Sequence, residues 1–321
     1  MRRIVFDLDD TLESPSVYGE ENIENIKQLL RERWGDYAED AMMFTWQTET
    51  NSIFRGPETH IYAYFAYPGA VELLRWVHQK GIAIDFYSSA SKERNDSLCR
   101  SIMKAAFPDE DVPFRVFSTS VDGPEDDRKN EEYCEKYVGF YYGRYKKALK
   151  DFIVPESELP DTLLVDDDPS YAARGEEANL VFCCCDYCDY AQNIQKFHDD
   201  KGLHDKNYGL TMHRVYYVAG VLDKIVRMAD ERGISLRDAA QTVQFLDEGK
   251  RIPTLEEHDA DGTIRYPFPY YSDAKYYISG LKVLQAFNPN LDFWNGIQDG
   301  WWDENGWSAR HSRSVQKKEK S

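Results

Sequence analysis

Between residues 3 and 190, short apolar runs alternate with longer stretches in which apolar positions recur every three or four residues. The runs at 3–6, 82–87, 114–117, 162–165 and 179–184 have strand length and are rich in aliphatic and aromatic residues, as befits strands covered on both faces. The stretches between them predict helices. YPGAVELLRWVHQKG sets Pro68 near a first turn and Gly81 at the end. NIENIKQLLRERWGDYAEDAM has helical periodicity, and YYGRYKKALKDF reads as a further helix that leads through IVPESELPD to the fourth strand. This alternation is the rhythm of an α/β protein, with a Rossmann-like, doubly wound and mostly parallel sheet.

The pattern changes at 192–210, where QKFHDDKGLHDKNYG reads as a linker or an elaborated loop. Beyond it, Val215, Val218, Leu222, Ile225 and Met228 recur at helical spacing. A second helix begins at Ser235 as N-cap, with Asp238 three residues on in the manner of a capping box, and stops before Gly249. A third fits SDAKYYISGLKVLQAF. The organisation that follows is a core over 1–198 with a helical stretch inside 13–66, a helical C-terminal extension over 199–307, and a basic tail over 308–321 whose composition is that of disorder.

Composition narrows the classes. The chain has 321 residues, 42% apolar and 30% charged, which suits a soluble globular protein of one large or two smaller domains. Its net charge of -18 argues against a general nucleic-acid binder, because phosphate backbones reward clustered Lys and Arg. The Met1-Arg2-Arg3 start runs straight into a strand with no apolar leader, and no stretch approaches the roughly eighteen apolar residues of a membrane span. Cys183, Cys184, Cys185 and Cys188 crowd one segment that forms no disulfide framework, so a reducing, cytoplasmic setting is expected. Cys185 and Cys188 lack the partner pair that zinc requires, and buried thiols are the plainer account. DADGT, at 259–263, lacks the later ligands of a calcium loop and reads as a hairpin turn.

The candidate chemistry lies in two acidic clusters. IVFDLDDTL places Asp7, Asp9 and Asp10 directly after the first strand, and TLLVDDDPS places Asp166, Asp167 and Asp168 after the fourth. Parallel strands deliver both clusters to one sheet edge, where ligands of α/β proteins gather. In extended backbone Asp7 and Asp9 share a face that Leu8 and Asp10 do not. Carboxylates crowded together raise one another's pKa unless a cation stands between them, and ligation by oxygen alone favours Mg²⁺ over zinc.

DLDDTL, a strand ending in serine, a lysine and a late acidic pair together resemble the haloacid dehalogenase superfamily, whose commonest members are Mg²⁺-dependent phosphatases. The resemblance covers about residues 3–190. It implies that Asp7 is the nucleophile and Asp9 the general acid and base, with Asp7, Asp9, Asp166 and Asp167 around the metal. Matching SSAS to the family's T-A-S form makes Ser89 the phosphate-binding hydroxyl, with Ser88 as the other register. Of Lys146, Lys147 and Lys150, the G-N-Y-V-K-D-L form of the small-lid branch related to RNA polymerase C-terminal-domain phosphatases selects Lys147. The D-N-S-P form of that branch makes Asp167 the direct metal ligand, with Asp166 orienting it or Lys147.

Members of that superfamily choose substrates with caps inserted after the first or second motif, so the resemblance makes 13–66 a small helical lid, and a lid this small implies an open site, fit for a phosphorylated side chain on a protein. Phe44, Trp46, Tyr62 and Tyr64 could stack on a phosphotyrosine ring or pack a core. A small phosphorylated metabolite is the alternative substrate, and a non-catalytic binding or scaffold protein is the alternative class. Phe293, Trp294, Trp301 and Trp302 beside the basic tail raise a peripheral membrane contact or a protein contact for the extension.

Overall fold

A computed structural model describes residues 1–14, 17, 19–52, 56–118, 140–141, 144–145, 147–150, 152–168, 171–173, 175–183, 212–247, 250–251, 254–255, 268–269, 274–293, 302–303 and 306–307. The expected linker at 192–210, the DADGT turn, Cys184, Cys185, Cys188, Trp294, Trp301 and the tail lie outside them.

Five strands form the central sheet: β1 (Arg3–Phe6), β4 (Ala83–Ser88), β5 (Phe114–Ser118), β8 (Thr162–Asp166) and β9 (Leu180–Phe182). Their order is β5-β4-β1-β8-β9, and every pairing is parallel. The first strand is therefore central, and Ile4, Val5 and Phe6 are wholly buried. Successive side chains point to opposite faces: Ile4 and Phe6 enter the larger core cluster, Val5 the smaller one. Each such side chain withdraws enough apolar surface to be worth about 1.5–3 kcal/mol. This pattern explains why uninterrupted apolar runs, rather than alternating ones, marked these strands.

The larger core takes the apolar sides of α3 (Ala70–Gln79) and α4 (Lys92–Ala106), and of three C-terminal helices, α5 (Arg214–Arg232), α6 (Leu236–Phe245) and α7 (Ala274–Leu284). Ser235 caps α6 as expected, accepting from the Asp238 amide at 3.1 Å. Helices α5 and α7 cross almost backbone to backbone. A Cβ added at Gly280 would lie 1.7 Å from the Tyr216 carbonyl oxygen, and one at Gly220 would lie 2.0 Å from that of Tyr276. Only glycine admits such an approach. Phe293 is buried against His213 and Tyr216, with ring centroids 5.3 and 5.5 Å away. Among the described residues no helix is long and apolar enough to cross a membrane.

The insertion at 13–66 contains the expected helical stretch, as α1 (Glu20–Trp34) and α2 (Asp36–Ala41), and then a long antiparallel hairpin, β2 (Met43–Ser52) with β3 (Gly56–Phe65). Phe44 faces Tyr64 and Trp46 faces Tyr62 across it. Phe44 and Tyr64 are core residues, whereas Trp46 and Tyr62 are half-buried and stack at 5.3 Å.

Among the described residues, the helix expected over YYGRYKKALKDF is not formed. Phe140–Tyr141 and Arg144–Tyr145 make a two-residue ladder, β6 with β7, and Lys147 bridges in parallel to Ala172. The amides that a helix would spend internally go elsewhere: Lys147 to the Tyr171 carbonyl at 2.7 Å, Leu149 and Lys150 to the Glu176 carboxylate at 2.7 and 2.9 Å. Leu149 from this irregular run, with Ile153 and Val154 just after it, covers the second face of the sheet.

Candidate active site

Asp7 follows the central strand, and its amide extends the ladder to the Val165 carbonyl at 2.9 Å. Asp166 ends the neighbouring strand and Asp167 comes next. In this way adjacent parallel strands bring carboxylate oxygens of Asp7, Asp166 and Asp167 within 4.8 Å of one another. Asp7 and Asp166 are buried and Asp167 is half-buried.

One ammonium enters the group. Lys147 Nζ lies 2.7 Å from Asp7 Oδ1 and 2.6 Å from Asp166 Oδ2, and its side chain is 1% exposed. The other Asp166 oxygen accepts the Asp168 amide at 2.9 Å. Of the other candidate lysines, Lys150 reaches Glu156 at 3.0 Å, and Lys146 lies outside the described residues.

Three carboxylates against one ammonium leave the group electron-rich in a region that water barely reaches. Burial, then Asp166 and Asp9, push the Asp7 acid up to about 7 against the pull of Lys147. Burial and the neighbouring acids Asp166 and Asp7 push Asp167 well above the carboxylate range. Burial opposes the Lys147 charge, but Asp166 and Asp7 outweigh it and hold the ammonium above its ordinary pKa.

Asp9 stands outside this group. Its side chain is 36% exposed and gripped by Arg94, whose Nη1 donates to Oδ2 at 2.8 Å and whose Nη2 donates to Oδ1. Glu13 sits nearby, its Oε1 3.4 Å from Arg94 Nη2, and burial pushes its acid up to about 8. Asp10 turns the other way and adopts φ 55°, left-handed backbone that Asp tolerates better than most residues. Its carboxylate accepts from the Tyr67 hydroxyl at 2.9 Å, and Arg214 holds its main-chain carbonyl.

Ser88 is the last residue of β4 and is buried, its Oγ accepting from the Ala90 amide at 3.3 Å. Ser89 follows it, half-buried, on the same edge as Asp7. Ser91 then caps α4.

Sequence reasoning missed Arg94 and Arg214. Both sit in the first turn of a helix, where the dipole disfavours cations. Both are nevertheless buried. A basic residue breaking that rule in the first turn of an amphipathic helix is a signal that could have found them, although the partly exposed Lys92 shows the same pattern. Arg214 comes from the C-terminal extension, so the extension contributes directly to the loop after the first strand.

No protein-family model matches the chain, and no curated protein matches it. Among solved structures it is similar to an arginine-to-alanine variant of the fission yeast RNA polymerase II CTD phosphatase Fcp1 bound to beryllium fluoride, at 13% identity and a TM-score of 0.39, over 76% of this chain and 71% of that one. It is likewise similar to Fcp1 described as an essential RNA polymerase II CTD phosphatase, at 13% identity and a TM-score of 0.38, over 76% of this chain and 70% of that one.

Proposed function

We propose that the protein is a Mg²⁺-dependent phosphomonoester hydrolase that works through an aspartyl-phosphate on Asp7. The observation that carries this reading is the meeting of Asp7, Asp166 and Asp167, the first two buried and sharing the Lys147 ammonium, the third half-buried beside them. Such a group fits a hard divalent cation: the donors are all carboxylate oxygens, they lie within 4.8 Å of one another, and burial keeps Asp7 and Asp167 from ionising cheaply without added positive charge. Asp7, Asp167 and Asp166 would hold the ion, with Asp166 also orienting Lys147. Bound there, Mg²⁺ supplies charge neutralisation for a dianionic phosphate.

The chain's own groups then divide the work. An Asp7 oxygen attacks phosphorus while the bond to the leaving oxygen breaks, and Asp9 delivers a proton to that oxygen. In the second half Asp9, now a carboxylate, takes a proton from water, whose oxygen attacks phosphorus and frees Asp7 with release of inorganic phosphate. Each proton transfer of this kind is worth about 10²–10⁴ in rate. Lys147 favours the anionic form of Asp7 and offsets charge on the phosphoryl oxygens, and Ser89 is the hydroxyl we assign to donate to them.

For substrate we favour a phosphorylated protein side chain, phosphotyrosine among them. Half-buried Trp46 and Tyr62, stacked on the hairpin that leads away from Tyr64 and Arg94, support that preference. The test is a hydrolysis panel of phosphopeptides, sugar phosphates and nucleotides with and without Mg²⁺, alongside Asp7→Asn. Magnesium-dependent turnover that Asp7→Asn abolishes is expected. Full activity in that variant removes Asp7 as nucleophile.

A further inference from the structure

Arg94 is fully engaged with protein groups beside the site. Its Nε donates to the Tyr64 hydroxyl at 3.0 Å. Its Nη1 donates to Asp9 Oδ2 at 2.8 Å and Asn95 Oδ1 at 3.2 Å. Its Nη2 donates to Asp9 Oδ1 and, at 3.4 Å, to Glu13 Oε1. A guanidinium has five N–H donors, and all five are spent on protein. The residue is 6% exposed, and its planar face also covers the Tyr64 ring at 4.6 Å.

Two roles are open to a cation in such a place: ligand of the incoming phosphoryl group, or holder of another residue. The donor count decides. A phosphoryl ligand must turn at least one N–H toward substrate, and here each already has an acceptor. Of the two carboxylates it meets, Asp9 takes the forked pair and Glu13 only a long edge contact. The fork fixes a carboxylate in orientation as well as distance, which a lysine cannot do.

Its place in the chain points the same way. Ser91 caps α4 and accepts from the Arg94 amide at 3.4 Å, so Arg94 lies in the first turn, against the helix dipole. Tyr64 comes from the inserted hairpin and Asp9 from the loop after the central strand, and Arg94 is the part they share.

Resting on the phosphatase reading, we infer that Arg94 is a positioning residue: it fixes the Asp9 carboxyl group for proton transfer and ties it, through Tyr64, to the inserted hairpin. A holder of the proton-transfer group must matter most where the leaving oxygen most needs its proton. Alkyl phosphates have poor leaving groups, and aryl phosphates such as p-nitrophenyl phosphate have good ones.

The experiment is a double-mutant cycle with Arg94→Lys, Asp9→Asn and the pair, assayed on p-nitrophenyl phosphate and on a phosphoserine peptide, with thermal unfolding recorded for each. Arg94→Lys is expected to lose roughly 10–100-fold in kcat on the phosphoserine peptide and only a few-fold on the aryl ester, within the range of acid–base catalysis. KM should change little on either. In the Asp9→Asn background the same substitution should cost almost nothing more, as for residues acting as a unit. If Arg94→Lys does not fold, Tyr64→Phe, which removes only the Nε partner, should give the same substrate-dependent loss on a smaller scale. Equal losses on both substrates, a KM rise in place of a kcat fall, or losses that add to those of Asp9→Asn overturn the assignment. Wild-type protein that hydrolyses neither ester removes the phosphatase reading and this role with it; an active wild type with additive losses removes only the role.

Discussion

The Lys147 ammonium lies 2.7 Å from the Asp7 carboxylate and is almost wholly buried with it. Because the same ammonium lies 2.6 Å from Asp166, it is the only cation among the described residues that touches both strand ends. Taking it away leaves two buried carboxylates without their cation, a loss of about 3–5 kcal/mol for a broken buried pair.

Lys147→Met is therefore expected to unfold at markedly lower temperature than wild type at neutral pH. The deficit should shrink in acid, where the abandoned carboxylates are protonated and cost little to bury. Unfolding curves at two pH values check this. A deficit that does not change with pH would mean that packing, and not charge, explains the loss.

Wild-type stability without metal should fall as pH rises through the neutral range. Asp7 goes from an ordinary value of 3.8 to about 7 in the fold, and Glu13 from 4.5 to about 8. A raised folded-state pKa means that the folded chain binds more protons than the unfolded one between those limits. Stability from these groups is thus complete below about pH 4 and is lost progressively up to about pH 8. Added Mg²⁺ should counter the loss by holding the ionised form, so the rise in unfolding temperature that it produces should grow from pH 5.5 to pH 8. Denaturant titrations with and without Mg²⁺ measure both. A metal effect independent of pH would count against the carboxylate cluster as its site.

Much of the architecture is legible in the sequence. The five strands of the sheet fall where the apolar runs predicted, because strands buried on both faces leave an unbroken hydrophobic trace. Asp7, Asp166 and Asp167 meet because parallel neighbours end at one edge, a consequence of topology that holds whatever the side chains. The hairpin is not among the expected elements although Phe44, Trp46 and Thr48 alternate against His60, Tyr62 and Tyr64, because helical periodicity is the stronger local signal in the insertion. The helix predicted around Lys147 failed for a different reason. Its amides are captured by Tyr171 and by Glu176, partners distant in sequence that no local periodicity reveals. Arg94 and Arg214 act through such tertiary partners too.

Gly280→Ala should be severely destabilising for a one-carbon change. The added Cβ would meet the Tyr216 carbonyl oxygen at 1.7 Å, and the obstructing atom is backbone, not a side chain that can swing aside. Helices α5 and α7 would have to separate, and the Tyr277 and Leu284 contacts in the core would loosen with them. Overpacking of this kind costs about 1–3 kcal/mol or more. Gly35→Ala is the contrast in space alone: nothing lies within 4 Å of its Cβ position, although its φ of 57° carries a strain of its own. Thermal unfolding of the two variants should rank Gly280→Ala well below Gly35→Ala, and the reverse order would mean that α5 and α7 cross less closely than described.

Arg214→Met should damage the site from a distance. Arg214 is wholly buried at the start of α5. Its guanidinium holds the Asp10 main-chain carbonyl, lies 3.6 Å from the Asp10 carboxylate and covers the Tyr67 ring at 4.6 Å. The Asp10 backbone that it holds is left-handed, a conformation that persists only where surroundings fix it. Methionine keeps much of the bulk but abandons Asp10 and removes the cation that draws the Asp167 pKa down. A stability loss of about 3–5 kcal/mol is expected, as for any buried pair broken on one side. Because the Asp10 loop carries Asp7 and Asp9 at its start, kcat on p-nitrophenyl phosphate should fall at temperatures where the variant is still folded. Arg214→Lys should restore part of the stability, having the charge without the fork. The cycle with Asp10→Asn separates the causes: strong non-additivity ties the effect to the Arg214–Asp10 pair, whereas independent losses would mean that Arg214 serves only to fill the space between α5 and the sheet.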